Sequence, residues 1–103
     1  MKVNFAQELK TLDGRSIKYA DRGQMYLKDA TLDALLATFQ DEQNLPGEEK
    51  AKRYVLATRI YSNPEKLELK AEEVALIKKQ IGRLFGPLVV GQAFAMLDGK
   101  EKE

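Results

Sequence analysis

Apolar and polar positions alternate at the start of the chain. Val3, Phe5 and Leu9 sit at odd positions among polar neighbours, and Ile17 and Tyr19 resume the pattern beyond Asp13-Gly14. A period of two describes a half-buried strand. Asp-Gly between two such stretches favours a tight hairpin, because both turn positions want positive φ. A second turn signal, Asp21-Arg22-Gly23-Gln24, precedes Met25-Tyr26-Leu27 and allows a third short strand. Two or three strands do not hold together alone in water, so this sheet is expected to pack on helices.

The period then changes to that of a helix. "DATLDALLATFQ" places Leu32, Leu35, Leu36 and Phe39 on one face, with Asp29 or Thr31 as the cap. "DEQNLPG" reads as a loop, and Pro46 opens the next helix, where proline is tolerated. That helix is "GEEKAKRYVLATRIYS". Ala51, Tyr54, Val55, Thr58 and Tyr61 form its expected core stripe, with Leu56 and Ile60 beside it. Glu48 with Lys52, and Glu49 with Arg53, stand four apart with the acid first, which supports the helix modestly. Asn63-Pro64 ends it.

Leu67 and Leu69 read as a short extended approach to a third helix. With Lys70 as N-cap, Leu69 and Val74 occupy the positions of a hydrophobic staple, and Glu72 and Glu73 fall in the first turn. Lysine is a poor cap, so that boundary is set by its neighbours. Val74, Ile77, Ile81, Leu84 and Phe85 line one face, and Lys78, Lys79 and Arg83 another. Gly86-Pro87 stops this helix and starts a fourth, ending near Asp98-Gly99. The expected fold is therefore α+β and mainly helical: an N-terminal β-hairpin packed on about four α-helices. One domain over residues 1–98 is expected, followed by a charged, frayed tail over 99–103.

The segment "LFGPLVVGQAFAML", 84–97, changes the picture most. It holds no charged residue, in a chain that is 32% charged, and its one strongly polar side chain is Gln92. A membrane-spanning helix needs about 20 apolar residues, and this run is shorter and interrupted by Gly86, Pro87 and Gly91. Two readings remain. The segment is the central helix of the core, wrapped by the rest of the chain. Alternatively, part of it faces a copy of itself or another protein, with Gly91 and Ala95, four apart, admitting a close neighbour. The candidate protein interface is Leu84, Phe85, Leu88, Val89, Gly91 and Ala95.

Composition excludes more chemistry than it suggests. The chain has 103 residues, no cysteine and no histidine. Thiolate nucleophiles, disulfides, Cys/His zinc sites and imidazole acid–base chemistry are ruled out. Neither Ser16 nor Ser62 lies in a Gly-x-Ser-x-Gly elbow, and a triad lacks its histidine. The carboxylate pairs Glu48/Glu49 and Glu72/Glu73 sit in first turns, where acids stabilise the helix. No calcium loop is present. Gly86 and Gly91 have the spacing of a phosphate loop, but Gln92-Ala93 follows instead of Lys-Ser/Thr. No enzymatic activity, no cofactor, no metal and no small-molecule substrate are expected.

Net charge is +1, and both halves are balanced: residues 1–45 carry 6 basic and 7 acidic groups, 46–103 carry 11 and 9. That balance disfavours a nucleic-acid binder. The alternative reading is a small nucleic-acid-binding regulator using the basic faces of the second and third helices: Lys52, Arg53, Arg59, Lys78, Lys79 and Arg83. Against it, the fourth helix offers one amide to read base edges. The opening Met-Lys-Val-Asn-Phe-Ala-Gln-Glu has no apolar h-region, so no secretory signal is expected there.

"LKTLDGRSI", then "LDALLATFQDEQNLPGEEKAKRYVLATRIY", then "LELKAEEVALIKKQIGRLFGPLVVGQAFAML" resembles small proteins encoded in tailed-phage and prophage genomes, which have a short hairpin followed by helices and commonly carry no assigned activity. The resemblance covers about residues 5–97, and "GEEKAKRY" and "PLVVGQAF" are its most distinctive pieces. It implies morphogenesis of head or tail, or modulation of a host or phage protein, and carries over no functional residue. With the residue reading it gives a non-enzymatic protein–protein interaction module. Its expected partner is a protein, a second copy included, through the C-terminal helices. Its expected location is the bacterial cytoplasm, with association to the virion as an extension.

Overall fold

Two helices begin where a carboxylate three residues on satisfies a backbone N–H, after Tyr26 and after Lys70. In the computed structural model, which describes residues 1–19 and 23–99, α1 spans Leu27–Leu36, α2 Gly47–Ser62, α3 Ala71–Leu84 and α4 Pro87–Leu97, with a short 3₁₀ turn at Gln40–Glu42 between α1 and α2. The fold is α+β and mainly helical, with the N-terminal hairpin packed against four helices. Asp21 and Arg22 of the second expected turn, and residues 100–103 of the expected tail, lie outside the described residues.

The N-terminal segment is a small closed figure of three extended pieces. The turn at Asp13-Gly14 forms as expected, with Gly14 at φ +88° and the Gly14 N–H donating to the Thr11 carbonyl at 3.0 Å. Antiparallel bridges link Lys10 to Ser16, Lys18 to Gln24 and Glu8 to Tyr26, so the third piece is present. The hydrogen bonds run in a ring. Leu9 N–H donates to Met25, Met25 N–H to Ile17, and Ile17 N–H to Leu9, at 2.9, 3.0 and 3.4 Å. Leu9 and Met25 point into the core, and Ile17 packs against it. A two-stranded antiparallel sheet lies apart from this ring: β1, Lys2–Val3, pairs with β2, Leu67–Glu68, in the register Val3 to Leu67. The extended approach read at Leu67 and Leu69 is thus a strand that ties the start of the chain to the entry of α3.

The helix α1 begins and ends earlier than expected. The Asp29 carboxylate accepts the Tyr26 N–H at 2.9 Å, which makes Asp29 the third helical residue instead of the cap. Its buried face is Leu27, Ala30, Thr31, Ala34 and Leu35, and Leu36 is exposed. Small residues on that face let α1 lie close to both α2 and α3, so α1 is the centre of the helical packing. Lys70 does precede α3. Its N–H donates to the Glu73 carboxylate at 2.8 Å, and Leu69 and Val74 are both buried, as the staple requires.

The α2 bounds match the expectation, and its inward face does not. Arg53, Leu56, Ala57 and Ile60 are buried, whereas Tyr54, Val55 and Tyr61 of the expected core stripe are exposed, Tyr61 by 68%. Arg53 is the physical reason. The guanidinium donates to both Glu42 carboxylate oxygens at 2.8 and 2.9 Å, so a neutralised arginine can turn inward and carry Leu56 and Ile60 with it. Arg83 adds a contact to Glu42 at 3.1 Å, pairs with Asp41, and stacks 4.2 Å from the Phe39 ring centre. The Arg53 hydrogen bonds hold the Glu42 carboxyl far below its ordinary value of 4.5, at about 2. This cluster fastens the 37–46 connection to α2 and α3.

Candidate interaction site

The helix α4 is apolar on every side yet buries only Ala93, Met96 and Leu97 fully, of its 11 residues. Among the helices its main packing partner is α3. Phe94 lies over Gly82, where an added Cβ would sit 3.9 Å from its ring, and Lys78 stands 5.4 Å above that ring while pairing with Asp98 at 2.6 Å. The reading of α4 as a core helix wrapped by the whole chain is therefore corrected. Wrapping one helix completely takes more chain than this small domain has once α1 occupies the centre.

The second support of α4 is the hairpin, and Gln92 makes that contact. Its Oε1 accepts the Lys10 N–H at 2.8 Å, and its Nε2 donates to the carbonyls of Lys10 and Leu88 at 2.5 and 3.0 Å. A side-chain amide thus replaces a missing strand at the open edge of the hairpin. The one strongly polar residue of the run is spent on holding the hairpin tip beside the head of α4.

That placement creates a groove. Thr11, Leu12 and Gly14 stand on one side, Pro87, Leu88 and Gly91 on the other, enclosing about 670 Å³ open to solvent, and the lining extends to Gln92 and Met96. Leu12 is 97% exposed, the barest large apolar side chain among the described residues, while Leu84 and Leu88 are 41% and 39% exposed. The tip that carries Leu12 is held. Thr11 N–H donates to the Arg15 carbonyl at 2.8 Å, and the Thr11 hydroxyl and then the Arg15 N–H bind the Asp13 carboxylate, which lowers its pKa. Gly91 is exposed, and an added Cβ would meet nothing within 4 Å, so packing within this chain does not call for glycine there.

The expected interface residues fall into two groups. Leu84, Leu88 and Gly91 are exposed, and Leu88 and Gly91 line the groove, whereas Phe85, Val89 and Ala95 are half-buried, with Phe85 and Val89 packed against the core. Leu12 was not among them. Its signal in the sequence was a bare leucine between Thr11 and Asp13-Gly14, a position where turns carry polar residues.

Five of the six cations of the nucleic-acid reading are engaged by acids. Lys52 pairs with Glu49, Arg53 with Glu42, Arg59 with Glu73, Lys78 with Asp98, and Arg83 with Asp41 and Glu42; among the described residues Lys79 makes no ion pair. Burial pushes the Glu73 carboxyl up, but the Lys70 N–H and the Arg59 hydrogen bond outweigh it and leave its pKa lowered. Among the described residues no helix is long and apolar enough to cross a membrane, and no three acidic side chains are grouped to hold a metal ion.

No protein-family model matches the sequence, and no curated protein or solved structure matches it either. The functional argument therefore stands on the groove and its neighbours.

Proposed function

We propose that the chain is a non-enzymatic protein–protein interaction module that docks its partner on the face formed by the hairpin tip and the head of α4. A phage or prophage setting, in virion assembly or in modulation of a host or phage protein, is the context suggested by the resemblance of the sequence. One observation carries the reading: Leu88 lies exposed in an uncharged segment, next to Leu12, which the turn holds almost bare in water, and Leu84 is exposed in the same segment. Grouped apolar exposure of this kind is typical of interaction sites, whereas isolated exposed apolar residues are ordinary. The nucleic-acid alternative draws no comparable support, because five of its six cations are engaged by acids of the same chain.

The test is capture of partners from cells that express the chain in its native gene setting, comparing wild type with Leu88→Glu. Retention of a defined protein that the substitution abolishes supports the module. Retention of DNA or RNA that weakens steeply with salt and falls on Lys78→Glu/Lys79→Glu would replace it with the regulator reading.

A further inference from the structure

The face that docks a partner has the makings of its own complement. It carries a projecting side chain, Leu12, and directly beside it a groove walled by Leu88 and Gly91. An interface with two-fold symmetry requires this, because whatever one copy inserts the other must receive at the equivalent place. The charges agree. Glu8 and Lys10 line the groove, and Asp13 and Arg15, paired at 3.2 Å, line the adjoining surface beside Leu12 and Leu88, two acids and two bases in all. A border of balanced sign meets its own copy without net repulsion, and offers little to a polyanion or to a strongly charged partner.

Gly91 provides an independent reason. Glycine inside a helix is less stable than alanine, and nothing in this chain occupies the space a Cβ would take. What an outside group would use is close approach to the α4 backbone. We infer that the partner on this face is a second copy of the chain, with Leu12 of each copy entering the groove beside Leu88 and Gly91 of the other. The inference rests on the interaction-module reading and names its occupant.

The strip is one helix and one hairpin wide, and α4 is about 16 Å long at 1.5 Å per residue. A strip of that size is at the small end of the roughly 800 Å² per partner that stable interfaces bury, where weak association, about micromolar, is expected.

Sedimentation velocity between about 5 and 500 µM separates the outcomes, at concentrations bracketing that range. The wild type is expected to shift from monomer toward dimer with rising concentration. Leu12→Glu is expected to stay monomeric, and Gly91→Ala to weaken the dimer at least tenfold while keeping or raising the melting temperature. Tyr61→Glu, on the outer face of α2, is expected to dimerise like the wild type. Three results overturn the inference: a wild type that is monomeric throughout, a dimer unaffected by Leu12→Glu, or a dimer abolished by Tyr61→Glu alone. A monomeric wild type that still captures a defined protein through Leu88 would leave the module standing and remove only the second copy.

Discussion

The helices α2 and α4 invert what their compositions suggest. The helix α2 is crowded with charge, yet it turns an arginine inward and leaves Tyr54, Val55 and Tyr61 in water. The helix α4 has no charge at all, yet more than half of its residues are not fully buried. The difference lies in what each helix meets. A partner carboxylate, Glu42, removes the penalty for burying Arg53, and both ends of that pair come from the same chain. For α4 the chain supplies chiefly α3 and the hairpin, so part of an apolar surface is left over. Hydrophobicity therefore does not by itself say which face is inside. The geometry of available partners does.

That contrast can be broken by substitution. Ile60→Ala removes a fully buried side chain from the true inner face of α2 and is expected to destabilise by about 3–4 kcal/mol in urea unfolding. Glu42→Ala strands a buried guanidinium and is expected to cost about 3 kcal/mol; replacing Arg53 and Glu42 together by leucine should recover much of that loss. If Glu42→Ala is silent, Arg53 is not what turns α2.

The same pair has a pH signature. The Glu42 carboxyl is held at about 2 in the folded chain against an ordinary 4.5. A lowered folded pKa stabilises fully above the unfolded value, and that contribution is lost as pH falls from 4.5 toward 2. Chemical unfolding measured at pH 7, 4 and 2.5 should show the decline, and Glu42→Gln should flatten the part of it that belongs to this group.

Two smaller effects address the surfaces. Gly91→Ala is expected to raise monomer stability by about 0.5–1 kcal/mol, since the helix gains and no neighbour is displaced. Tyr54→Ser is expected to change stability by less than about 0.5 kcal/mol, because that side chain is exposed. A large loss at Tyr54 would return the expected core stripe to the inside.

Local signals made much of the fold legible. Pro46-Gly47 and Asn63-Pro64 bracket α2, Gly86-Pro87 separates α3 from α4, and Asp13-Gly14 turns the hairpin. What could not be read depended on contacts between distant residues. Two stripes run along α2, and the buried one includes Arg53, whose pairing with Glu42 the pattern did not show. The α1 start at Leu27 depends on Asp29 reaching back to the Tyr26 N–H, where the pattern alone offered Asp29 or Thr31 as the cap. For the candidate site, the uncharged run pointed to α4, and Leu84, Leu88 and Gly91 lie where a partner can reach them. Leu12 joined them only through the Gln92 bonds to Lys10, 82 positions apart in the chain.

The absence of native cysteine allows a direct measurement of that face. Single-cysteine variants Leu12→Cys and Leu88→Cys are mixed under mild oxidation and the disulfide products separated by mass. Reciprocal docking predicts that the mixed Leu12→Cys/Leu88→Cys dimer dominates both homodimers. Absence of a mixed dimer, or a mixture in the proportions of random collision, would contradict it.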